Sequence, residues 1–110
     1  MVKPNKVIFV DDELERVFDE MSDEDSIKKA IIRVVGNLYE NVFCGRNVKK
    51  KLIPKRLIDK YGVDNLWICN LPFAWRMVYT LVRDERTIKE TVVVILGWMD
   101  HKDYEVLFGF

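Results

Sequence analysis

The chain has 110 residues, of which 49% are hydrophobic and 12% aromatic, so residues 1–110 suit one domain with a real core and not a disordered protein. The charges of its 18 basic and 18 acidic residues sum to zero. It has two cysteines and one histidine, whose spacing fits neither a zinc site nor a disulfide scaffold. No apolar segment is long enough to span a bilayer and no secretion signal is recognisable, so we expect a cytoplasmic protein.

The N-terminal segment predicts a strand followed by a helix. The run KVIFV, residues 6–10, is rich in β-branched side chains and stops at acidic residues, which is typical of a short strand. Asp11 or Asp12 then suits the cap of a helix, because a carboxylate accepts the first unpaired amide hydrogens. The segment ELERVFDEM places four apolar side chains on one helical face: Leu14, Val17, Phe18 and Met21.

A second, longer helix is predicted from about Glu24 to Phe43. Ser22 or Asp23 suits its cap, and Gly45 suits its end. One stripe of this helix is apolar, formed by Ile27, Ile31, Val34, Val35, Leu38 and Val42. We therefore expect the two helices to form a hairpin that packs on one face of a sheet.

Charge is segregated along the chain although its sum is zero. Residues 11–25 carry nine acidic side chains against one basic one, whereas residues 46–60, here called the basic band, carry seven basic side chains against one acidic one. Such a molecule can bind a polyanion on one side while remaining neutral overall. The alternative is that both segments are ordinary solvated surface.

The C-terminal half predicts a helical turn and three strands. Pro54 suits the start of a turn of helix over PKRLIDKYG, and Gly62 suits its end. The strands are LWICNLP, WRMVYTLV and KETVVVILGWM; Pro72 separates the first two, and RDERT (residues 83–87) predicts a hairpin turn between the last two. The order β-α-α-β-β-β predicts an α+β domain: an antiparallel sheet with a helical hairpin packed on one face and its other face open to solvent or a ligand.

Arg76 is the unusual residue in the central strand, because it is a permanent cation within an apolar run. Strand alternation places it on the face opposite Trp75, Met77 and Tyr79. With Trp67 and Trp98 on neighbouring strands, arginine among aromatics is typical of a nucleic-acid surface; the alternative is that the tryptophans belong to the core. We interpret Cys44 and Cys69 as small core residues.

Three short motifs follow one another in this half of the chain. They are Leu66-Trp67 in the first strand, WRMVY (residues 75–79) in the second, and HKDY (residues 101–104) after the third. A lysine-rich connection, RNVKKKLIPKRL, precedes them. Together with the order of elements, these motifs resemble the RelE/ParE superfamily of type II toxin–antitoxin toxins over nearly the whole chain.

The resemblance implies a RelE-like activity and assigns residues to it. RelE-type toxins are metal-independent endoribonucleases (mRNA interferases) that cut messenger RNA in the ribosomal A site, where the RNA's own 2′-hydroxyl attacks the adjacent phosphate. It implies that Arg76 contacts the scissile phosphate, that Tyr104 orients or activates the attacking group, and that His101 and Lys102 form the basic element. The predicted RNA-binding residues are six of the seven basic residues of the basic band: Arg46, Lys49, Lys50, Lys51, Lys55 and Arg56.

Two departures from the family keep other functions open. Ile68 and Asn70 stand where RelE-type nucleases carry lysines, and neither side chain can act as a general base. One alternative is a non-catalytic or ParE-like toxin that acts by binding a protein target, or a degenerate protein with the toxin fold. The other is an unrelated small domain whose charged segments are plain surface.

The resemblance also implies partners. Such toxins act on messenger RNA and the ribosome, need no cofactor or metal, and do not involve a membrane. A cognate antitoxin holds them inactive by wrapping the helices and the sheet edge. We expect that antitoxin to cover exposed apolar surface around Trp98, Phe108 and Phe110.

Overall fold

A mixed five-stranded sheet organises residues 2–83 and 90–109, which are the residues that this computed structural model describes. In chain order the strands are β1 (Lys6–Phe9), β2 (Arg46–Asn47), β3 (Trp67–Asn70), β4 (Arg76–Arg83) and β5 (Thr91–Met99). The α-helices of the described residues are α1 (Asp12–Glu20), α2 (Ser26–Glu40), α3 (Lys55–Tyr61) and α4 (His101–Phe108). Short 3-10 turns occupy Lys50–Leu52 and Pro72–Ala74. The predicted α+β class is confirmed.

The sheet differs from the predicted antiparallel one at a single edge. Its order is β1-β5-β4-β3-β2, and all neighbours are antiparallel except β1 and β5, which run parallel from the pair Lys6 and Val92 to the pair Phe9 and Ile95. The helices α1 and α2 separate β1 from the other strands along the chain. A parallel pair needs a long connection of this kind, so β5 can run beside β1 in the same direction. Apart from Arg83, the last residue of β4, the predicted turn RDERT lies outside the described residues.

Side-chain caps decide where the two N-terminal helices begin. Asp11 caps α1 as predicted, since its carboxylate accepts a hydrogen bond from Leu14 N at 2.8 Å. Helix α2 begins later than predicted, because its cap is Asp25, which accepts from Ile27 N at 2.7 Å and from Lys28 N at 3.4 Å. It also ends earlier, at Glu40.

Lys28 closes the connection between α1 and α2, a role that the charge pattern did not indicate. Its side chain is buried, and Nζ donates to Met21 O and to the Asp23 carboxylate, both at 3.0 Å. Nζ also lies 5.2 Å from the centre of the Phe18 ring. The ammonium thus has a carbonyl, a carboxylate and an aromatic ring as partners, and these contacts link α2 to the end of α1.

Gly45 does not end α2; it makes room for a buried tyrosine. A Cβ atom at this position would lie 2.7 Å from Tyr79 Oη and 3.0 Å from Ile68 O, so any other residue would clash. In return, the Tyr79 hydroxyl accepts from Gly45 N at 3.0 Å and donates to Val42 O at 2.8 Å. Of the two cysteines interpreted as core residues, Cys69 is buried, but Cys44 beside this glycine is exposed.

The first core lies between the helical hairpin and one face of the sheet. The predicted stripe of α2 is confirmed, and it packs against the side chains of Met77, Tyr79, Val93 and Ile95. Leu14, Phe18 and Met21 of the α1 stripe also pack here. Val17 does not: it is 44% exposed, because α1 lies at the margin of the sheet and presents only part of its apolar face to the core.

The other face of the sheet is not open, contrary to prediction. Helices α3 and α4 cover it and enclose a second core, whose buried residues are Ile53, Leu57, Val63, Leu66, Ile68, Val78 and Leu96. Helix α3 is the predicted turn of helix, and Gly62 ends it with a φ of +65°. Helix α4 was not predicted. Asp100 accepts from Asp103 N at its start, and Gly109 ends it with a φ of +77°, so cap residues were present in the tail.

Replacement of Tyr79 by phenylalanine should test how strongly this tyrosine holds the fold. The substitution removes the partner of a buried carbonyl and of the Gly45 amide, so we expect the free energy of unfolding to fall by about 1–3 kcal/mol. Urea denaturation measures this value. Tyr39→Phe is the matched control, because the Tyr39 hydroxyl accepts only a 3.3 Å bond from Val7 N at an exposed position. Equal losses in the two variants would contradict this role of Tyr79.

Candidate functional site

The end of the sheet where β4 begins and β5 ends brings together residues from distant parts of the chain. Arg76, the first residue of β4, pairs with Asn70 of β3 on one side and Met99 of β5 on the other. Asp100 follows Met99 and starts α4. Helix α4 therefore begins beside Arg76 and continues over the face to which Arg76 points.

Arg76 is held in a defined position at this end. Its guanidinium carbon lies 5.4 Å from the centre of the Tyr104 ring, and Nη1 donates to Trp75 O at 3.1 Å. Its Nε is buried, and no hydrogen-bond acceptor for it exists among the described residues. The arrangement is a half-buried cation packed against an aromatic ring, with one buried donor left unpaired.

The two residues at the start of α4 point in different directions. His101 Nε2 contacts the Glu105 carboxylate one turn further along the exposed surface of the helix. His101 precedes Tyr104 by three residues and so lies on a neighbouring strip of the helix, whereas Lys102 lies about 160° around the helix from Tyr104. The fold thus brings Arg76 together with Tyr104, and it directs Lys102 away from them.

The basic band flanks α4 on two sides. Arg46 and Lys49 line a groove of about 210 Å³ that Tyr104 also lines. On the other side, Arg56 lines a groove of about 330 Å³ together with Met99 and Leu107. The remaining predicted RNA-binding residues are exposed and line neither groove: Lys50, Lys51 and Lys55.

The tryptophans do not share a surface with Arg76. All three pack against the first core, on the face of the sheet opposite Arg76, and Trp98 lies 6.1 Å from the rings of both Phe9 and Phe18. The interpretation of these rings as core residues is therefore the right one. The apolar patch predicted around Trp98 and Phe108 is not one surface either, because these two residues pack against different cores. Phe110, its third member, lies outside the described residues.

The two positions where a RelE-type nuclease would carry lysines differ in their surroundings. Ile68 is only 4% exposed and belongs to the second core, where an ammonium group would lack solvent. Asn70 is exposed and lies directly opposite Arg76 in the sheet. Any acid–base chemistry at this end of the sheet must therefore come from other side chains.

The tip of the β3–β4 hairpin carries a residue that the sequence did not mark. Phe73 and Ala74 both have left-handed backbone conformations, with φ values of +61° and +62°. The Phe73 side chain is 79% exposed. A bulky residue held in this conformation without burial is a strained feature, and such features concentrate at binding sites. Pro72 indicated a turn, but not its left-handed form.

No protein-family model, curated protein or solved structure matches the chain. Within residues 2–83 and 90–109, no three histidine, cysteine, aspartate or glutamate side chains converge to form a metal site. Over the same ranges, no helix has the length and apolar character needed to cross a bilayer. The chemistry of this end of the sheet therefore has to be argued from Arg76, Tyr104 and the cations around them.

Substitution of Phe73 by asparagine should leave the fold intact or strengthen it. Asparagine adopts the left-handed conformation more readily, so we expect the free energy of unfolding to stay level or to rise by about 1 kcal/mol. Phe43→Asn is the control, because Phe43 is 44% exposed but its ring packs 5.3 Å from that of Trp67. If both variants lose similar stability in urea denaturation, the Phe73 ring supports the fold and its exposure has no special meaning.

Proposed function

We propose that the chain is a RelE-like toxin of a type II toxin–antitoxin system and that it cuts messenger RNA on the ribosome. The observation that carries this proposal is the contact between Arg76 and Tyr104, which lie 28 positions apart in sequence and stack at 5.4 Å. These are the two residues that the resemblance assigns to the scissile phosphate and to the attacking group. The partners would be messenger RNA, the ribosome and a cognate antitoxin.

Arg76 suits the charge that develops in this reaction. Attack of the 2′-hydroxyl on the phosphate gives a phosphorane with two negative charges, and a guanidinium fixed in advance stabilises it without reorganisation. Packing against Tyr104 and the Nη1 bond to Trp75 O provide that fixation. An arginine binds phosphate through two parallel hydrogen bonds, which a lysine cannot do.

Proton transfer would fall to the residues near Tyr104. Glu105 holds the His101 imidazole through Nε2, so Nδ1 is the nitrogen that would exchange a proton with an RNA oxygen. Lys102 points to the side of the helix opposite Tyr104. It therefore suits a contact with the RNA backbone better than a contact with the reacting atoms. The grooves on either side of α4, lined by Arg46, Lys49 and Arg56, would continue the phosphate path.

A second candidate function is a non-catalytic toxin that binds a protein target. The burial of Ile68 favours it, because this position cannot supply the basic group that RelE-type nucleases place there. Under this alternative, Arg76 and the basic band would bind an acidic partner surface, and RNA would remain uncut.

In-vitro translation followed by primer extension on the messenger tests the nuclease directly. We expect wild-type protein to cut within codons only when ribosomes are present. Arg76→Ala should cut 10²–10³-fold more slowly, roughly the loss that follows removal of one preorganised transition-state donor. Arg83→Ala, which removes an exposed arginine at the other end of the same strand, is the matched control and should cut normally.

Two results would contradict the nuclease. Messenger left intact by folded wild-type protein would favour the binding-only alternative. Equal cutting by Arg76→Ala and wild type would remove Arg76 from the site, and with it the observation on which the proposal rests.

The salt dependence of RNA binding tests the basic band. Replacement of Lys49, Lys50 and Lys51 by alanine should weaken binding of a short single-stranded RNA. It should also reduce the slope of log K against log salt by about 0.7 for each phosphate that the variant no longer neutralises. Fluorescence anisotropy measures the slope. The control removes three lysines that lie outside the basic band: Lys3, Lys6 and Lys29. Equal slopes for the two triple variants would mean that RNA does not follow the band.

A further inference from the structure

Two free cysteines meet beside the buried hydroxyl of Tyr79. Cys44 is exposed and Cys69 is 8% exposed, and both line one cavity of about 300 Å³, together with Asn37 and Arg46. Cys69 packs in the first core, on the face of the sheet opposite Arg76 and Tyr104. The proposed RNA chemistry makes no use of either cysteine.

The sheet register brings the two thiols together. Arg46 pairs with Ile68 in the antiparallel β2–β3 ladder, so the residues just before Arg46 run back alongside Cys69. Gly45 lies so close to β3 that a Cβ atom there would be 3.0 Å from Ile68 O. Cys44 and Cys69 therefore come to line the same cavity. This arrangement does not follow from the sequence, because 24 residues separate the two cysteines.

We propose that Cys44 and Cys69 form a reversible oxidation site, in which a hydroperoxide such as hydrogen peroxide converts the two thiols into an intramolecular disulfide. Transient disulfides of this kind occur in reducing compartments, where permanent ones do not persist. The proposal stands apart from the proposed nuclease, since neither thiol takes part in it.

The two sulfurs have different roles in this reaction. Cys44, which solvent reaches, loses its proton, and its sulfur attacks one peroxide oxygen; an S–O bond forms, the O–O bond breaks, and hydroxide leaves and takes up a proton as water. The Cys69 sulfur then attacks the sulfenic sulfur. The S–S bond forms, the S–O bond breaks, and the departing hydroxide takes the Cys69 proton as a second water. One peroxide is reduced, and two thiols are oxidised.

The surroundings of Cys69 fix this order. Burial, followed by the neighbouring Cys44, raises the pKa of Cys69 to about 12, so Cys69 stays a thiol near neutral pH and reacts poorly with peroxide by itself. Exposed Cys44 is therefore the first site of attack, and Cys69, which lines the same cavity, is the thiol placed to resolve the sulfenic acid. The disulfide would tie the segment that follows α2 to β3 and close the loop between the two cysteines.

The test treats the purified full chain with hydrogen peroxide, blocks remaining thiols with N-ethylmaleimide and measures the intact mass. We expect the oxidised monomer to be lighter by two hydrogens and to take up no maleimide. After reduction with dithiothreitol, both cysteines should react with maleimide. A non-reducing peptide map should link the peptides that contain Cys44 and Cys69. The oxidised protein should melt at a temperature about 4 °C or more above that of the reduced protein.

Two variants separate the roles of the thiols. Cys44→Ser, at an exposed position, should leave Cys69 reduced and open to maleimide after unfolding. Cys69→Ala should let Cys44 accumulate as a sulfenic acid that dimedone traps. Wild-type protein that keeps both thiols, oxidises Cys44 beyond the sulfenic acid without a linked peptide, or forms only disulfides between molecules would overturn the proposal.

Discussion

The hydroxyl of Tyr79 is the interaction on which the rest of the fold depends. Tyr79 lies in the central strand β4, and its hydroxyl bonds to Val42 O and Gly45 N, in the segment that leaves the helical hairpin. This pair of bonds sets where the chain turns from α2 into the sheet. Because the approach is so close, only glycine fits at position 45, and the register of β2 against β3 follows from it.

Closure of both sheet faces gives the candidate site its form. A sheet with one open face would leave Arg76 as a surface cation with many rotamers. Helix α4 instead places Tyr104 against the guanidinium and buries Nε without an acceptor. The site therefore lies at an end of the sheet, between β4 and the helix that follows β5, and basic side chains line the grooves on either side of α4. A half-buried arginine is more rigid than an exposed one, which suits binding of a charged group.

Local sequence signals predicted much of the architecture, but they failed where contacts between distant residues determine the structure. The apolar stripe of α2 and the alternation of β4 were readable, since both depend on the direction of neighbouring side chains. Asp11 was one of two candidate caps for α1, whereas Asp25 was not among the candidates for α2, because several acidic residues compete for that place. Cys44 is exposed although cysteine is usually buried, and the glycine and basic residues that follow it are the local signal for a loop.

The sequence by itself determined the α+β class, the helical hairpin, the alternation that turns Arg76 away from the tryptophans, and the segregation of charge. Only the tertiary structure decided that β1 runs parallel to β5, that α3 and α4 cover the second face of the sheet, and that Arg76 contacts Tyr104. The physical reason is the range of the interactions. Periodicity and capping act over a few residues, whereas strand order, face coverage and contacts between distant side chains depend on which apolar surfaces find each other in space.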